Sequence, residues 1–249
     1  MLRQLRFDFY KITKSKVIGW CFIIPLLLLF LGPATKYIIN TSAMSTISNI
    51  RDVSGNLHIA LYVVGIVFIT SDFSSGYIKN VYQFSNKLQY LLSKVIYVFI
   101  FCVLFLGLEF LIGWLFNTIW GNETLFEPEY DDVKAYIYTM IAELLNGVAL
   151  GIFLCFLSAL VKKNYIVFII AFSYTFVLGN LLYSAINGLF SQDNGFVIQP
   201  YTLFGFIRPN IYYMLKNDGN YLTPIFVQIC YIVVFGFFSW LILKKRDVV

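Results

Sequence analysis

The chain has 249 residues, of which 59% are hydrophobic and 12% charged, with a formal net charge of +5. A soluble domain carries roughly 25% charged residues, so this composition excludes an ordinary soluble enzyme and favours a membrane protein with several spans. The chain has no G-x-x-x-x-G-K-[ST] pattern, which excludes a P-loop nucleotide site, and it shows no nucleic-acid-binding module. His58 is the single histidine, and the cysteines lack metal-ligand spacing, which argues against zinc. Each cysteine is predicted to be a small buried apolar side chain: Cys21, Cys102, Cys155 and Cys230.

Residues 1–16 predict an amphipathic helix. Its apolar side chains share one helical face, formed by Leu2, Leu5, Phe9 and Ile12. Its basic side chains occupy much of the remaining surface: Arg3, Arg6, Lys11 and Lys14. The pattern is typical of an elbow helix in the membrane interface, with basic residues toward anionic lipid headgroups. A topogenic anchor with no moving role is the open alternative.

Six apolar runs are long enough to predict membrane-spanning helices, since a span needs about 20 mostly apolar residues. They cover residues 17–35, 57–73, 91–117, 134–160, 165–187 and 221–243. The first run is expected to be an uncleaved anchor, because amphipathic sequence precedes it. With both termini cytoplasmic, 13 of the 18 Lys and Arg residues fall on the inside. This charge bias predicts six spans in a single transmembrane domain with both ends inside.

A polar, basic segment separates the second and third predicted spans. Within it, Ile78, Val81 and Tyr82 have helical spacing and share a face. Asp72 is expected beside the N-terminus of this short helix, because a carboxylate there complements the helix dipole. The sequence thus predicts a helix along the cytoplasmic surface, over residues 74–90, that presents apolar side chains to a partner.

The same segment resembles the ABC-2 type permease family of ABC transporters. The resemblance lies in an acidic residue at the membrane exit, a glycine, an aliphatic–basic pair and a lysine in "LLSK": Asp72, Gly76, Ile78, Lys79 and Lys94. The start, "LRFDFYKITKSKVIGW", is also similar to that family's basic elbow, as is the count of six spans. Tyr77 departs from the Thr or Ser that is more usual there.

The resemblance implies that residues 74–90 form a coupling helix, which seats in a groove on a separate ATPase subunit. The implied ATPase-coupling residues are Asp72, Gly76, Ile78, Lys79, Val81, Tyr82 and Lys87. Two ATPase copies would bind ATP and magnesium, and this chain would hold no cofactor and perform no catalysis. A second permease copy, or a paralogue, would complete the transporter. An ordinary cytoplasmic loop is the alternative.

Polar residues inside the predicted spans are candidates for a substrate path. Glu109 and Glu143 lie at similar predicted depths, and Asn146 shares the face of Glu143. Arg208, in the outer segment, is a possible cationic partner. These four residues either line a cavity that meets substrate or form a structural polar cluster. The nearby "GVALG", from Gly147 to Gly151, predicts close helix packing.

The aromatic outer segment, residues 188–220, contains Pro200 and Pro209 around a helix-length apolar piece. It is similar to the short re-entrant helices of ABC-2 permeases, which would cap the outer end of the path. A surface-lying hairpin is the alternative.

Taken with the resemblance, these features predict the permease subunit of an ATP-driven exporter in a bacterial cell membrane. Its compact form is similar to permeases of lantibiotic-immunity, bacitracin-type and phenol-soluble modulin systems, which implies amphipathic peptides as cargo. Lipid or small-drug export by an ABC permease stays open. A channel or secondary transporter is a further alternative, although no inverted repeat is visible. An intramembrane protease is disfavoured, because His58 stands alone.

Overall fold

A computed structural model describes residues 2–14, 16, 23, 27, 30, 60–74, 86–119, 133–161, 163–174 and 222–245. The described part of the chain is almost entirely helical and contains no β-strand. The predicted all-α class is therefore confirmed for these residues.

The described residues contain six continuous α-helices. They are α1 (Leu2–Lys14), α2 (Ile66–Ser74), α3 (Lys87–Ile119), α4 (Val133–Leu160), α5 (Asn164–Ser173) and α6 (Leu222–Lys245). A π-helical turn, Leu61–Gly65, leads directly into α2. Pro224 is accommodated near the start of α6, because backbone N–H groups in a first turn have no intrahelical acceptor to lose.

Three of these helices contain stretches long and apolar enough to cross a membrane: Lys87–Ile112, Met140–Leu160 and Leu222–Lys245. They coincide with the third, fourth and sixth predicted spans, although the third helix begins at Lys87 rather than at 91. A shorter apolar helix, Leu61–Asp72, covers most of the second predicted span. The first span, 17–35, and the part of the fifth beyond 174 lie outside the described residues, apart from three isolated helical positions in the first. These helices are compatible with a membrane protein, and the number of six spans remains a prediction.

Helix α4 lies at the centre of the described bundle and packs against α2, α3, α5 and α6, with its most extensive interface against α6. The outer surface of α3 instead exposes a run of large apolar side chains at helical spacing: Leu104, Leu108, Leu111 and Leu115. An exposed apolar stripe of this length is typical of a surface that meets lipid.

The close approach of α3 and α4 depends on Gly151. A Cβ atom at this position would lie 2.3 Å from Cγ1 of Val98, far inside van der Waals contact. The packing predicted from "GVALG" is confirmed here, and it serves an interface within the chain. The contact between Gly151 and Val98 lies between two other pairs across this interface. Cys155 of α4 is close to Lys94 of α3, and Glu143 of α4 is close to Cys102 of α3, so the two helices run antiparallel.

Two of the cysteines meet the expectation of burial and one does not. Cys102 and Cys155 are buried, whereas Cys230 is exposed on the surface of α6. The prediction for Cys230 was wrong because an apolar run in a span has both an inward and a lipid-facing side. Cys21 lies outside the described residues.

Candidate functional site

Four charged side chains from three distant parts of the sequence meet at one end of the bundle. They are Asp8 and Lys11 of α1, Asp72 at the end of α2 and Lys94 near the start of α3, and we call them the ion cluster. Asp8, Asp72 and Lys94 are almost completely buried, and the side chain of Lys11 is 19% exposed. The ion cluster therefore fixes α1 to the bundle.

Lys94 is the central cation of the ion cluster. Its Nζ atom lies 2.8 Å from Oδ1 of Asp8 and 2.7 Å from Oδ2 of Asp72. The hydroxyl of Ser93 lies 3.1 Å from Oδ2 of Asp8 and 2.8 Å from the Tyr90 carbonyl, and its single proton can be donated to either acceptor. One lysine thus joins the N-terminal helix to the end of α2.

Lys11 binds the C-terminal end of α2 from the other side. Its ammonium group forms an ion pair with Oδ1 of Asp72 and donates to the Ser71 hydroxyl at 2.6 Å and the Phe68 carbonyl at 3.2 Å. An ammonium group has three protons, and each of these acceptors can take one. Because helix C-termini carry partial negative charge, Lys11 also complements the dipole of α2.

An aromatic wall closes the ion cluster. The ring of Phe68 lies 4.1 Å from Nζ of Lys94 and 5.3 Å from Nζ of Lys11, within cation–π range of both. Tyr90, on the first turn of α3, donates its hydroxyl to Oδ2 of Asp72 at 3.1 Å. These contacts exclude water while leaving the charges with polar or aromatic partners.

The charges of the ion cluster cancel, since two carboxylates face two ammonium groups. Burial nevertheless lowers the pKa of Lys11 from its ordinary value, and the Asp72 carboxylate offsets part of that effect. Removing charges from water costs several kcal/mol per ion, so the cluster depends on every partner being in place. Such an arrangement suits a rigid joint that specifies one position of α1.

One sequence prediction needs correction here. Lys11 was expected to face lipid headgroups, but it points into the protein, because Asp72 offers it a buried counter-charge. Asp72 lies near the C-terminal end of α2, and the predicted short helix that follows lies almost wholly outside the described residues, so the place of Asp72 beside its N-terminus stays a prediction. The dipole of α2 is unfavourable for a carboxylate at its C-terminal end, and the two lysines compensate for it.

The remaining predicted coupling residues fall mostly outside the described part of the chain, namely Gly76, Ile78, Lys79, Val81 and Tyr82. Lys87 is the first residue of α3 and donates to the carbonyl of Lys244 at 3.3 Å. The start of α3 and the end of α6 therefore lie side by side, at the same end of the bundle as the ion cluster.

The predicted substrate-path residues are partly described. Glu143 and Asn146 are buried in α4, and Nδ2 of Asn146 donates to Oε1 of Gln228 on α6 at 3.2 Å. Among the described residues, none provides a hydrogen-bond acceptor for the buried Nε2 of Gln228. The Glu109 side chain and Arg208 lie outside the described residues, so their juxtaposition with Glu143 stays a prediction. Within the described helices, no group of three or more His, Cys, Asp or Glu side chains could hold a metal ion.

Sequence reasoning missed Asp8, Ser93 and Gln228. A signal for Asp8 was present, because it is the one acidic residue of the basic segment 1–16. Gln228 is the one strongly polar side chain in the apolar part of α6, and such residues in spans usually have a partner on another helix.

Comparison with known proteins identifies a family whose function is unknown. Residues 34–249 match the family model described as "Protein of unknown function (DUF2705)". No curated protein matches the chain. The matched part contains Asp72 and Lys94, whereas Asp8 and Lys11 precede it. Because the match covers far more than half of the sequence, the chain belongs to the DUF2705 family.

Proposed function

We propose that this chain is the permease subunit of an ATP-driven ABC exporter, moved by a separate ATPase that binds residues 74–90. The observation that carries the proposal is the ion cluster. It joins the two helices that flank the predicted coupling segment, and it adds the N-terminal helix to the same joint.

A coupling element must pass a displacement on to the helices beside it. Asp72, near the end of α2, is bonded to Tyr90 and Lys94 in the first two turns of α3. The end of α2 and the start of α3 therefore lie together, on either side of residues 75–86 in the sequence. A push on that segment would be transmitted to α2 and α3 together, because buried ion pairs resist separation.

The membrane-embedded polar residues support transport more generally. Glu143 is buried in a helix apolar enough to span a membrane, and Asn146 binds Gln228 across the interface of α4 and α6. Buried ionisable groups in spans are costly and often mark a transport path. The cargo we favour is an amphipathic peptide, with lipids or small drugs as the alternative.

The remaining parts of the proposal follow the resemblance to ABC-2 permeases. Two copies of the chain, or one copy and a paralogue, would pair with two ATPase subunits that bind ATP and magnesium. Both termini would lie in the bacterial cytoplasm, at the end of the bundle where α6 finishes with Lys244 and Lys245. A channel or secondary transporter would need no ATPase, which makes ATPase binding the decisive property.

The test is a substitution of the predicted contact face. The chain is purified with a candidate ABC ATPase from the same source, and Ile78, Val81 and Tyr82 are changed together to Asp. Central apolar contacts are worth about 2 kcal/mol each, so association should weaken well over tenfold and the permease-dependent ATPase rate should be lost.

The control places an aspartate at the other end of the molecule. Ile119, at the far end of α3, is 70% exposed, and Ile119→Asp should leave the complex and its ATPase rate unchanged. Both variants are first checked for monodispersity in detergent. A triple variant that binds the ATPase and hydrolyses ATP like the native complex would contradict the coupling assignment.

A further inference from the structure

Helix α1 docks on the bundle through the charged side chains of Asp8 and Lys11 and leaves aromatic side chains outside. Asp8 and Lys11, three residues apart, point into the ion cluster. On the opposite side, Phe9 and Tyr10 are 63% and 57% exposed. This is the reverse of a soluble amphipathic helix, in which the apolar stripe faces the core.

Cations flank the exposed aromatic rings. Arg6 and Lys14 are exposed, and both lie four residues from Tyr10, so the three side chains share a helical face with Phe9. We call these four residues the outer face of α1. Asp8 is the only acidic residue of α1 and is buried, so the outer face carries positive charge without a negative one.

The outer face lies at the level where a membrane-spanning helix begins. Asp8 contacts Ser93 and Lys94, and these are about 10 Å along the axis of α3 from its first residue, Lys87. On the same turns of α3, Leu88 and Leu92 are exposed. The aromatic rings of α1 therefore lie on a helix that is held at the level where the apolar surface of α3 begins.

We propose that the outer face of α1, formed by Arg6, Phe9, Tyr10 and Lys14, is a binding surface for anionic phospholipids. Aromatic rings favour the boundary between headgroups and acyl chains, and each basic residue near an anionic surface adds attraction. The opposite face of the same helix holds the ion cluster. Anionic lipid thus stabilises the joint between α1, α2 and α3 from outside the protein.

The orientation of α1 on the bundle makes its outer face different from the lipid-facing surface that the sequence predicted. The expected lipid-facing cations included Lys11, which is instead committed to Asp72. The cations of the outer face, Arg6 and Lys14, bracket the aromatic pair along the helix axis. A phospholipid headgroup can thus be contacted by a cation while its acyl chains meet Phe9 and Tyr10.

A depth measurement tests the proposal on the full chain, without any ATPase, so its result is independent of the proposed transport function. Thr13, on the same exposed side, is changed to Cys and spin-labelled, with Cys21 and Cys230 changed to Ser and the buried Cys102 and Cys155 retained. The protein is reconstituted in phosphatidylcholine vesicles with or without phosphatidylglycerol. Collision with oxygen, relative to a water-soluble nickel complex, reports the depth of the label.

With phosphatidylglycerol present, we expect the label to move toward oxygen-accessible, nickel-protected positions, and high salt should reverse part of the shift. Arg6→Glu with Lys14→Glu should abolish the response, as should the milder pair Arg6→Gln with Lys14→Gln. The matched control, Lys163→Glu with Lys245→Glu, changes two exposed lysines outside α1 and should retain it.

Three results would overturn the proposal. The first is a label that stays equally accessible to nickel in both lipids, and the second is a phosphatidylglycerol response that survives in the Arg6/Lys14 variants. The third, from a separate measurement with the candidate ATPase added, is a label that becomes protected only then, because the outer face would be a protein-binding surface.

Discussion

Replacing Lys94 with methionine is expected to lower the free energy of unfolding by about 3–5 kcal/mol, the cost of breaking a buried ion pair by removing one partner. The substitution keeps most of the side-chain volume but leaves Asp8 and Asp72 buried with only Lys11 to balance them. The measurement is reversible unfolding of the purified chain in mixed micelles, titrated with sodium dodecyl sulfate.

The control for Lys94→Met is Lys163→Met. Lys163 is an exposed lysine in the connection between α4 and α5, so losing its charge should change stability by no more than about 0.5 kcal/mol. If the two variants unfold at the same denaturant concentration, the ion cluster does not hold α1 to the bundle in the way described.

Gly151→Ala is expected to lower the free energy of unfolding by about 1–3 kcal/mol, the usual cost of overpacking a tight interface. The added methyl group would meet both Cγ atoms of Val98, at 2.3 and 2.8 Å, so α3 and α4 must separate or distort. Adding Val98→Ala removes the obstructing atoms and should restore part of the loss. The same unfolding titration measures both variants.

Gly107→Ala provides a matched control, because a Cβ atom there meets nothing within 4 Å. This substitution should be neutral or slightly stabilising, since alanine has the higher helix propensity. Equal effects of Gly107→Ala and Gly151→Ala would show that backbone propensity, and not packing against Val98, determines the response at residue 151.

Helix positions could be predicted well from the sequence because hydropathy is a local property. Helices α3, α4 and α6 coincide with predicted apolar runs to within a few residues, and α1 coincides with the amphipathic N-terminal segment. A membrane interior admits few alternatives to a helix for such runs, since backbone groups must bond within the segment.

The joint between helices could not be predicted in the same way, because it depends on pairs far apart in sequence. Asp8 lies 86 residues from Lys94, and Lys11 lies 61 from Asp72. A helical wheel of α1 shows an apolar and a basic face, but it cannot show that Lys11 pairs with the buried carboxylate of Asp72 on another helix. The apolar face of α1 was used to orient the helix, and this orientation wrongly placed Lys11 toward lipid headgroups.

The polar residues between α4 and α6 show the same division. Glu143 and Asn146 stood out in the sequence because polar residues are rare in spans. Their neighbours could not be read from it, because the contact between Asn146 and Gln228 is set by how α4 packs against α6. Buried polar groups can be found from hydropathy, whereas their partners depend on the tertiary packing.

The central structural claim is that the ion cluster joins the N-terminal helix to the two helices flanking residues 75–86. A double-mutant cycle with Asp8→Asn and Lys94→Met, measured by the same unfolding titration, tests it most directly. Asp8 and Lys94 lie 2.8 Å apart and buried, so the double variant should be more stable than the sum of the single losses predicts, by roughly 1–3 kcal/mol. Strictly additive losses would show that the two residues do not interact, and would contradict the account.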